Sequence, residues 1–350
     1  MTRSKIRIAV VGAGKMGSLH ARVSGKHPEV ELVGVGDPNT WRAQLAAWRG
    51  GGLPYRDYKD LLGKADAAII AVPTQLHFEV TMAALEAGVH CLIEKPLAAT
   101  VAEAKQMLDL AERKGLQLQV GHVERFNPAV LGAIEHIRLP RFITVERLGP
   151  YDPRVAGIGV VLDLMIHDLD ILLTLVGSEV ENLEAIGASL FSKHEDIANV
   201  RVRFKSGCVA DLTASRISMK RCRKIRIFQE DSYVSLDYMN ASLQVYRKKG
   251  PELKSLKDVE ILAPKLDKTE PLRQQLDHFL DCIRHNRKPW PSGEHGLEAL
   301  KLALQITEEL EKFELTHHQR PATFLPNWAH QIGSTIARTV SDAIQSGGDS

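Results

Sequence analysis

Lys5-Ile6-Arg7-Ile8-Ala9-Val10-Val11-Gly12-Ala13-Gly14-Lys15-Met16-Gly17 decides how the rest of the chain is read. An apolar run ends in glycines spaced G-x-G-x-x-G, and residues 18–26 continue as a helix. Strand, tight turn and helix start are the order that dinucleotide binding requires. Gly12 permits the sharp turn, Gly14 leaves room for a pyrophosphate against the backbone, and Gly17 lets the helix pack close to the strand. The first helical turn, with Lys15 and Met16, offers free N–H groups and a partial positive charge to phosphates. Such a motif carries little weight alone. Here a second apolar strand, residues 30–36, ends at Asp37, twenty residues past Gly17. A carboxylate at that place accepts ribose hydroxyls and repels a 2′-phosphate, so NAD is expected over NADP. Asp37 could also simply initiate a turn before Pro38, but position and context favour the ribose role. Arg42 is the nearby residue that speaks for NADP.

Composition narrows the class. With 350 residues the chain has room for two domains and a large core, and its net charge of +2 gives no bulk electrostatic case for nucleic acid. The four cysteines, Cys91, Cys208, Cys222 and Cys282, form no C-x-x-C pair, so neither a zinc cluster nor a disulfide framework is expected. No signal-peptide pattern and no apolar run of membrane length is visible, and a cytoplasmic protein without metal or membrane attachment is the expectation.

Further strands alternate with helices through residue 121. The strand at 67–72 delivers Val72, Pro73 and Thr74, with His77 at the next helix start. In a doubly wound sheet these lie on the ligand-facing rim, where His77 could meet a ribose or simply face solvent. The strand at 89–93 delivers Glu94-Lys95-Pro96, which places a lysine at the crevice with Glu94 as a potential partner. Thr100 and Glu103 form a capping box for the next helix. The strand at 116–121 leads into His122-Val123-Glu124-Arg125-Phe126-Asn127-Pro128. A short helix near Tyr55–Leu62 and one at 128–137 are also expected. The pattern then changes. Residues 141–148 form a strand, 149–159 a Pro/Gly-rich loop, and 160–176 a helix with Asp163 and His167 at i and i+4 on one face. From 179 to 247 strands and turns dominate, as in a mostly antiparallel sheet. Helices return at 271–285 and 293–313, and 328–344 reads as a terminal helix. The densest basic stretch, Arg216 to Lys224, reads equally well as phosphate-binding or as a charged sheet edge.

With its fingerprint, Glu94-Lys95-Pro96 and Asp163-x-x-x-His167, the chain resembles the Gfo/Idh/MocA family over roughly residues 5–315. The resemblance implies an N-terminal Rossmann domain with a doubly wound parallel sheet (1–123). It implies a C-terminal α/β substrate domain with a large, mostly antiparallel open sheet (124–316), and it leaves an extension at 317–350. It implies NAD(P)-dependent oxidation of a sugar, sugar nucleotide or inositol, and a homodimer or homotetramer. Lys95, Asp163 and His167 would be catalytic. Gly12, Gly14, Lys15, Met16, Gly17, Asp37, Val72, Pro73, Thr74, His77, Glu94, Lys95 and His122 would line the cofactor. Many members have glycine where this chain has Met165, which would reshape the pocket.

Residues 121–128, 163–170 and 214–218 resemble most the subgroup that oxidises the C3 hydroxyl of UDP-N-acetylglucosamine. Its 3-keto product goes to an aminotransferase on the route to a 2,3-diamino sugar for lipid A. A UDP-sugar needs cations for its diphosphate, and Arg125, Arg154 and Arg216 are the candidates, beside Asp163 and His167 for the sugar. A glycosidase with tightly held NAD and a nucleotide-binding regulatory protein are the remaining alternatives. Retention of Lys95, Asp163 and His167 together argues against the regulatory protein.

Overall fold

The computed structural model describes residues 4–155 and 157–317. Residues 1–310 form one compact unit and 311–350 a second. The expected terminal helix at 328–344 lies outside the described residues.

The first sheet has six strands: β1 (Ile6–Val11), β2 (Val30–Gly36), β3 (Leu53–Tyr55), β4 (Ala67–Ile70), β5 (His90–Ile93) and β6 (Leu118–Val120). Their order is β3-β2-β1-β4-β5-β6, every pair parallel. The order reverses at β1 and β4, the topological switch point where such sheets bind ligands. Helices α1 (Lys15–Gly25), α2 (Thr40–Gly50), α3 (Lys59–Leu62), α4 (His77–Glu86) and α5 (Val101–Lys114) connect the strands. Buried residues of α1 and α2 pack with Ile6, Ile8 and Val10, and those of α4 and α5 with Val11, Ala68 and Ile70, so both faces are covered. Asn39 caps α2 by accepting from the Arg42 amide at 3.1 Å. Thr100 and Glu103 cap α5 reciprocally at 3.2 and 3.0 Å. The helix expected at Tyr55–Leu62 is instead the end of β3 and the one-turn α3. β3 is an edge strand, which tolerates Pro54.

Next come α6 (Pro128–Ile134) and β7 (Phe142–Leu148). A π-helical turn, Val161–Met165, leads into α7 (Ile166–Val176). The second sheet adds β8 (Val180–Ala188), β9 (Ile197–Phe204), β10 (Val209–Ser215), β11 (Cys222–Phe228), β12 (Ser232–Asp237), β13 (Ser242–Lys248) and β14 (Val259–Leu262). Its order is β14-β13-β12-β11-β7-β10-β9-β8, antiparallel except for β7 with β10. One face packs on α6, α7 and part of α9. The other face carries cross-strand neighbours Phe142, Phe228, Tyr233 and Tyr246, stacked at 5.8, 4.9 and 5.4 Å between ring centroids.

Helices α8 (Pro271–His285) and α9 (Gly293–His317) follow. Leu272, Leu276, Phe279 and Leu280 of α8 complete the β1 side of the first sheet. Leu297 and Leu300 of α9 join the opposite core of that sheet, while Ala299, Leu302, Ala303 and Ile306 join the second core. The chain thus returns to the first sheet after building the second. Among the described residues no helix is long and apolar enough to cross a membrane.

Candidate active site

The glycine turn has the shape a pyrophosphate needs. Gly12 lies at φ +96°, and a Cβ there would sit 2.4 Å from the Ala71 carbonyl oxygen. A Cβ on Gly17 would fall 1.8 Å from the Gly12 carbonyl oxygen, while one on Gly14 would meet nothing within 4 Å. Two glycines are therefore required by packing, and the middle one faces open space at the N-terminus of α1, above Lys15 and Met16. The Asp37 carboxylate accepts from the Ala13 amide (2.7 Å) and the Asn39 amide (2.8 Å), which fixes it beside this turn. A dinucleotide fits these residues.

The rim beyond β4 and β5 differs in part from expectation. Val72, Pro73 and Thr74 line it with partial or full exposure. His77 does not reach toward a ribose. It is buried, with Nδ1 2.8 Å from the Pro96 carbonyl and Nε2 3.0 Å from the Val72 carbonyl, and so ties the exits of β4 and β5 together. Burial lowers its proton affinity, against the pull of those carbonyls. Glu94 is committed to a histidine and not to the Lys95 amine among the described residues. It is buried and pairs with His20 Nε2 at 2.8 Å. Burial alone would raise its carboxyl, but His20 and then Lys95 hold it below the usual range.

Lys95 leaves this rim and reaches the π turn ahead of α7. Its ammonium donates to the main-chain carbonyl of Asp163 at 2.5 Å and lies 3.4 Å from Asp163 Oδ1. Both side chains keep a small exposure, 17% and 20%. Asp163 belongs to the π turn, where Ile166 N–H reaches back five residues to the Val161 carbonyl. Glu195 holds the start of that turn: its carbonyl accepts from Val160 N–H (2.9 Å) and its carboxylate from Val161 N–H (3.1 Å). His167 follows at the start of α7, half-buried, with Nδ1 sealed and unpartnered. Among the described residues no hydrogen bond joins it to Asp163; the aspartate serves Lys95 instead. Burial, followed by the charges of Lys95, Arg147, His122 and Arg223, pushes the His167 imidazole well below its ordinary value. The result is an imidazole held toward its neutral form by burial and by a fixed ammonium, at the carboxyl ends of the first sheet.

Comparison with known proteins agrees with this geometry. Residues 6–122 match a model described as an oxidoreductase family with an NAD-binding Rossmann fold, and residues 130–234 match a GFO/IDH/MocA C-terminal domain. The chain belongs to the Gfo/Idh/MocA oxidoreductase family. It is 35% identical to a UDP-N-acetylglucosamine 3-dehydrogenase of Acidithiobacillus ferrooxidans, a match that covers 88% of this chain and 98% of the relative. It is 28% identical to a scyllo-inositol 2-dehydrogenase (NAD(+)) of Bacillus subtilis, over 81% and 88% of the two chains. A solved structure of the Acidithiobacillus enzyme superposes with a TM-score of 0.83 at 34% identity, covering 89% of this chain and 99% of that one. A levoglucosan dehydrogenase complex with NADH and L-sorbose shares the fold, with a TM-score of 0.80 at 21% identity and coverage of 89% and 98%.

Within this Gfo/Idh/MocA member, three arginines were candidates for a diphosphate, and two are committed elsewhere. Arg125 is buried and binds both carboxylate oxygens of Asp170 at 2.6 Å. Arg216 is buried too. It bonds Asp196 (2.8 Å), the Val155 and Ile158 carbonyls (2.8 and 2.5 Å) and Ser192 Oγ (2.8 Å), and so pins two loops. Arg154 lies in a 3-10 turn, Pro153–Val155, and its side chain lies outside the described residues. His122 is buried with neither ring nitrogen partnered, 3.9 Å from Asp170 and edge-on to the His167 ring at 6.3 Å. Its ring therefore faces His167, and neither nitrogen hydrogen-bonds a group of the described residues. Met165 is fully buried in the second core and does not face the pocket.

Of two further arginines near the site, Arg147 escaped the sequence reading and Arg223 was read only as part of the basic run from Arg216 to Lys224. Arg147 binds Asp168 at 2.6 and 2.8 Å and Glu124 at 3.1 Å. Its signal was present: it occupies an inward position of β7 after Ile143 and Val145, and a charge on a core face demands a partner. Arg223 occupies the matching position on β11, directly opposite Arg147.

Proposed function

We propose that this protein oxidises the C3 hydroxyl of UDP-N-acetylglucosamine to the 3-keto sugar nucleotide, with NAD as acceptor. The observation that carries the reading is the fixed Lys95 ammonium beside a neutral His167, in a chain similar over nearly its whole length to a 3-dehydrogenase of that sugar nucleotide. Gly12, Gly14, Gly17 and the first turn of α1 would hold the pyrophosphate, and Asp37 the adenosine ribose. Bound there, NAD supplies the two-electron acceptor for the alcohol carbon.

The chain's own residues handle the proton. His167 takes it from the C3 hydroxyl through Nε2, since Nδ1 is sealed. The Lys95 ammonium holds the same oxygen and stabilises the negative charge that develops on it. Asp163 keeps that ammonium in place through its carbonyl and carboxylate. A cytoplasmic enzyme of this kind would pass its product to an aminotransferase that makes the 2,3-diamino sugar for lipid A. A homodimer or homotetramer is part of the reading, supported by the aromatic ladder on a sheet face that no described helix covers.

The test incubates purified protein with NAD or NADP and a panel of UDP-sugars, and follows reduced cofactor. A coupled aminotransferase with glutamate draws off the 3-keto product. Reduction of NAD with UDP-N-acetylglucosamine is expected. Reduction with another sugar or an inositol, and none with UDP-N-acetylglucosamine, overturns the reading.

A further inference from the structure

The basic run from Arg216 to Lys224 contains five cations, Arg216, Lys220, Arg221, Arg223 and Lys224, and the fold sends them to different places. Arg216 is sealed among Asp196 and three other acceptors. Lys220 and Arg221 stand exposed in the loop before β11. Lys224 lies 3.7 Å from Asp237, its direct neighbour on β12. Arg223 alternates with the buried Ile225 and Ile227, so it belongs to the inner face that packs on α7.

At this position the inner face stops being apolar. Arg223 is the direct cross-strand neighbour of Arg147, and like charges so placed repel unless anions intervene. Arg147 is satisfied by Asp168 through two bonds and by Glu124 at 3.1 Å. Among the described residues the Arg223 guanidinium reaches only that same Glu124, at 3.5 Å, and its side chain remains 46% exposed. Glu124 follows the carboxyl end of β6 in the turn Val123–Phe126, so the two guanidiniums meet it at the crevice. Arg223 is thus an accessible cation with a shared, stretched counter-ion. It is close enough to His167 to be among the charges that depress its proton affinity.

We propose that Arg223 is the residue that binds the diphosphate of a nucleotide-linked sugar. The inference rests on the reading of the substrate as a sugar nucleotide and names the group that would select it over an unphosphorylated sugar or inositol. In such a substrate the diphosphate hangs from C1, two ring carbons from C3. With the C3 oxygen between His167 and Lys95, the phosphates lie about one sugar ring away. A planar guanidinium there can bind two phosphate oxygens at once, displacing its weak contact with Glu124.

The experiment titrates UDP, the sugar-free probe, into the full-length protein saturated with NADH, by calorimetry. Arg223→Ala should weaken UDP by about tenfold to a hundredfold, while NADH affinity stays at the wild-type value. Arg223→Lys should recover part of the loss. Glu124→Gln should bind UDP at least as tightly as wild type, because it removes the competing anion. With the active substrate, Arg223→Ala should raise KM more than it lowers kcat. UDP affinity within twofold of wild type in Arg223→Ala overturns the proposal. So does an equal loss in Glu124→Gln, which would mean that the Arg223–Glu124 contact is structural, and so does a wild type that does not bind UDP. If UDP binds through Arg223 but a different UDP-sugar is oxidised, this proposal stands and the choice of UDP-N-acetylglucosamine falls.

Discussion

Alanine at Gly14 and at Gly17, made separately, should separate cofactor space from packing within one six-residue turn. At Gly17 the added methyl would lie 1.8 Å from the Gly12 carbonyl oxygen and 2.8 Å from its carbon. Both are backbone atoms at the exit of β1, so no rotamer change relieves the clash and α1 must move off the strand. Overpacking of this kind costs about 3 kcal/mol, which for a unit of 310 residues lowers the melting temperature by roughly 5 °C. At Gly14 the backbone has φ −68° and ψ −166°, which alanine adopts without strain. Nothing lies within 4 Å of the new methyl, so the cofactor-free protein should keep its stability to within ~1 kcal/mol. The open space is what the pyrophosphate would use, and filling it should weaken NAD by about tenfold or more, ~1.4 kcal/mol or above. Thermal melts without cofactor and NAD titration by calorimetry read the two effects. The reasoning fails if the Gly14 variant binds NAD like wild type, or if the Gly17 variant melts like wild type.

Lys95→Met should lower turnover by about a thousandfold and leave NAD affinity unchanged; near-normal turnover would remove Lys95 from the chemistry. His167 must be neutral to accept a proton, and its proton affinity is depressed in the fold. Activity should therefore be fully present above the ordinary histidine range and be lost only as pH falls through the lower, folded-state value. A kcat/KM profile whose acid limb is centred at or above pH ~6.5 contradicts this. Asp168→Asn leaves Arg147 buried with only Glu124 as counter-ion, and should cost about 3–5 kcal/mol in urea denaturation; an unchanged midpoint would show the pair to be dispensable. If the Asp37 carboxylate is what selects NAD, Asp37→Ser should lower the ratio of kcat/KM for NAD over NADP by about tenfold or more. A constant ratio would place the discrimination elsewhere, with Arg42 the first residue to test.

The first sheet was legible because its signals are local. The glycine spacing, the alternation of apolar runs with helices, and the cap at Thr100 each depend on a few neighbouring residues, and each recurs in the fold. The site was legible in its centre and not at its edges. Lys95 stands at the strand exit as read, but its contact with Asp163 was not foreseen, and His77, Glu94, Arg125 and Arg216, read as ligand contacts, are bound to other parts of the chain. Their partners, Pro96, His20, Asp170 and Asp196, lie 19 to 74 residues away in the chain. Nothing local distinguishes an arginine waiting for phosphate from one already bound to a carboxylate. The π turn was hidden for a related reason. Its hydrogen bonds shift by one residue under tertiary constraint from Glu195, while the sequence keeps ordinary helical periodicity.

The buried ion pairs around α7 are better understood as aiming devices than as sources of stability. Asp168 and Asp170 each take an arginine through both oxygens, and each pair is almost wholly removed from water. Burial raises the Asp168 carboxyl even against the pull of Arg147, as expected where desolvation rivals the Coulomb gain. Pairs near that balance add little net free energy, yet they fix direction, because a bidentate contact tolerates little rotation. Arg147 comes from β7 and Arg125 from the turn after β6, so the two anchors hold α7 against both sheets. Side chains advance by about 100° per residue along a helix. Fixing residues 168 and 170 therefore fixes where His167 points. One turn earlier, the extra residue of the π segment changes the phase again and lets both the carbonyl and the carboxylate of Asp163 meet Lys95. A regular helix with Asp163 and His167 on one face would pair them with each other. The irregular one gives the aspartate to the lysine and leaves the histidine neutral and unpartnered, the state in which it can take a proton.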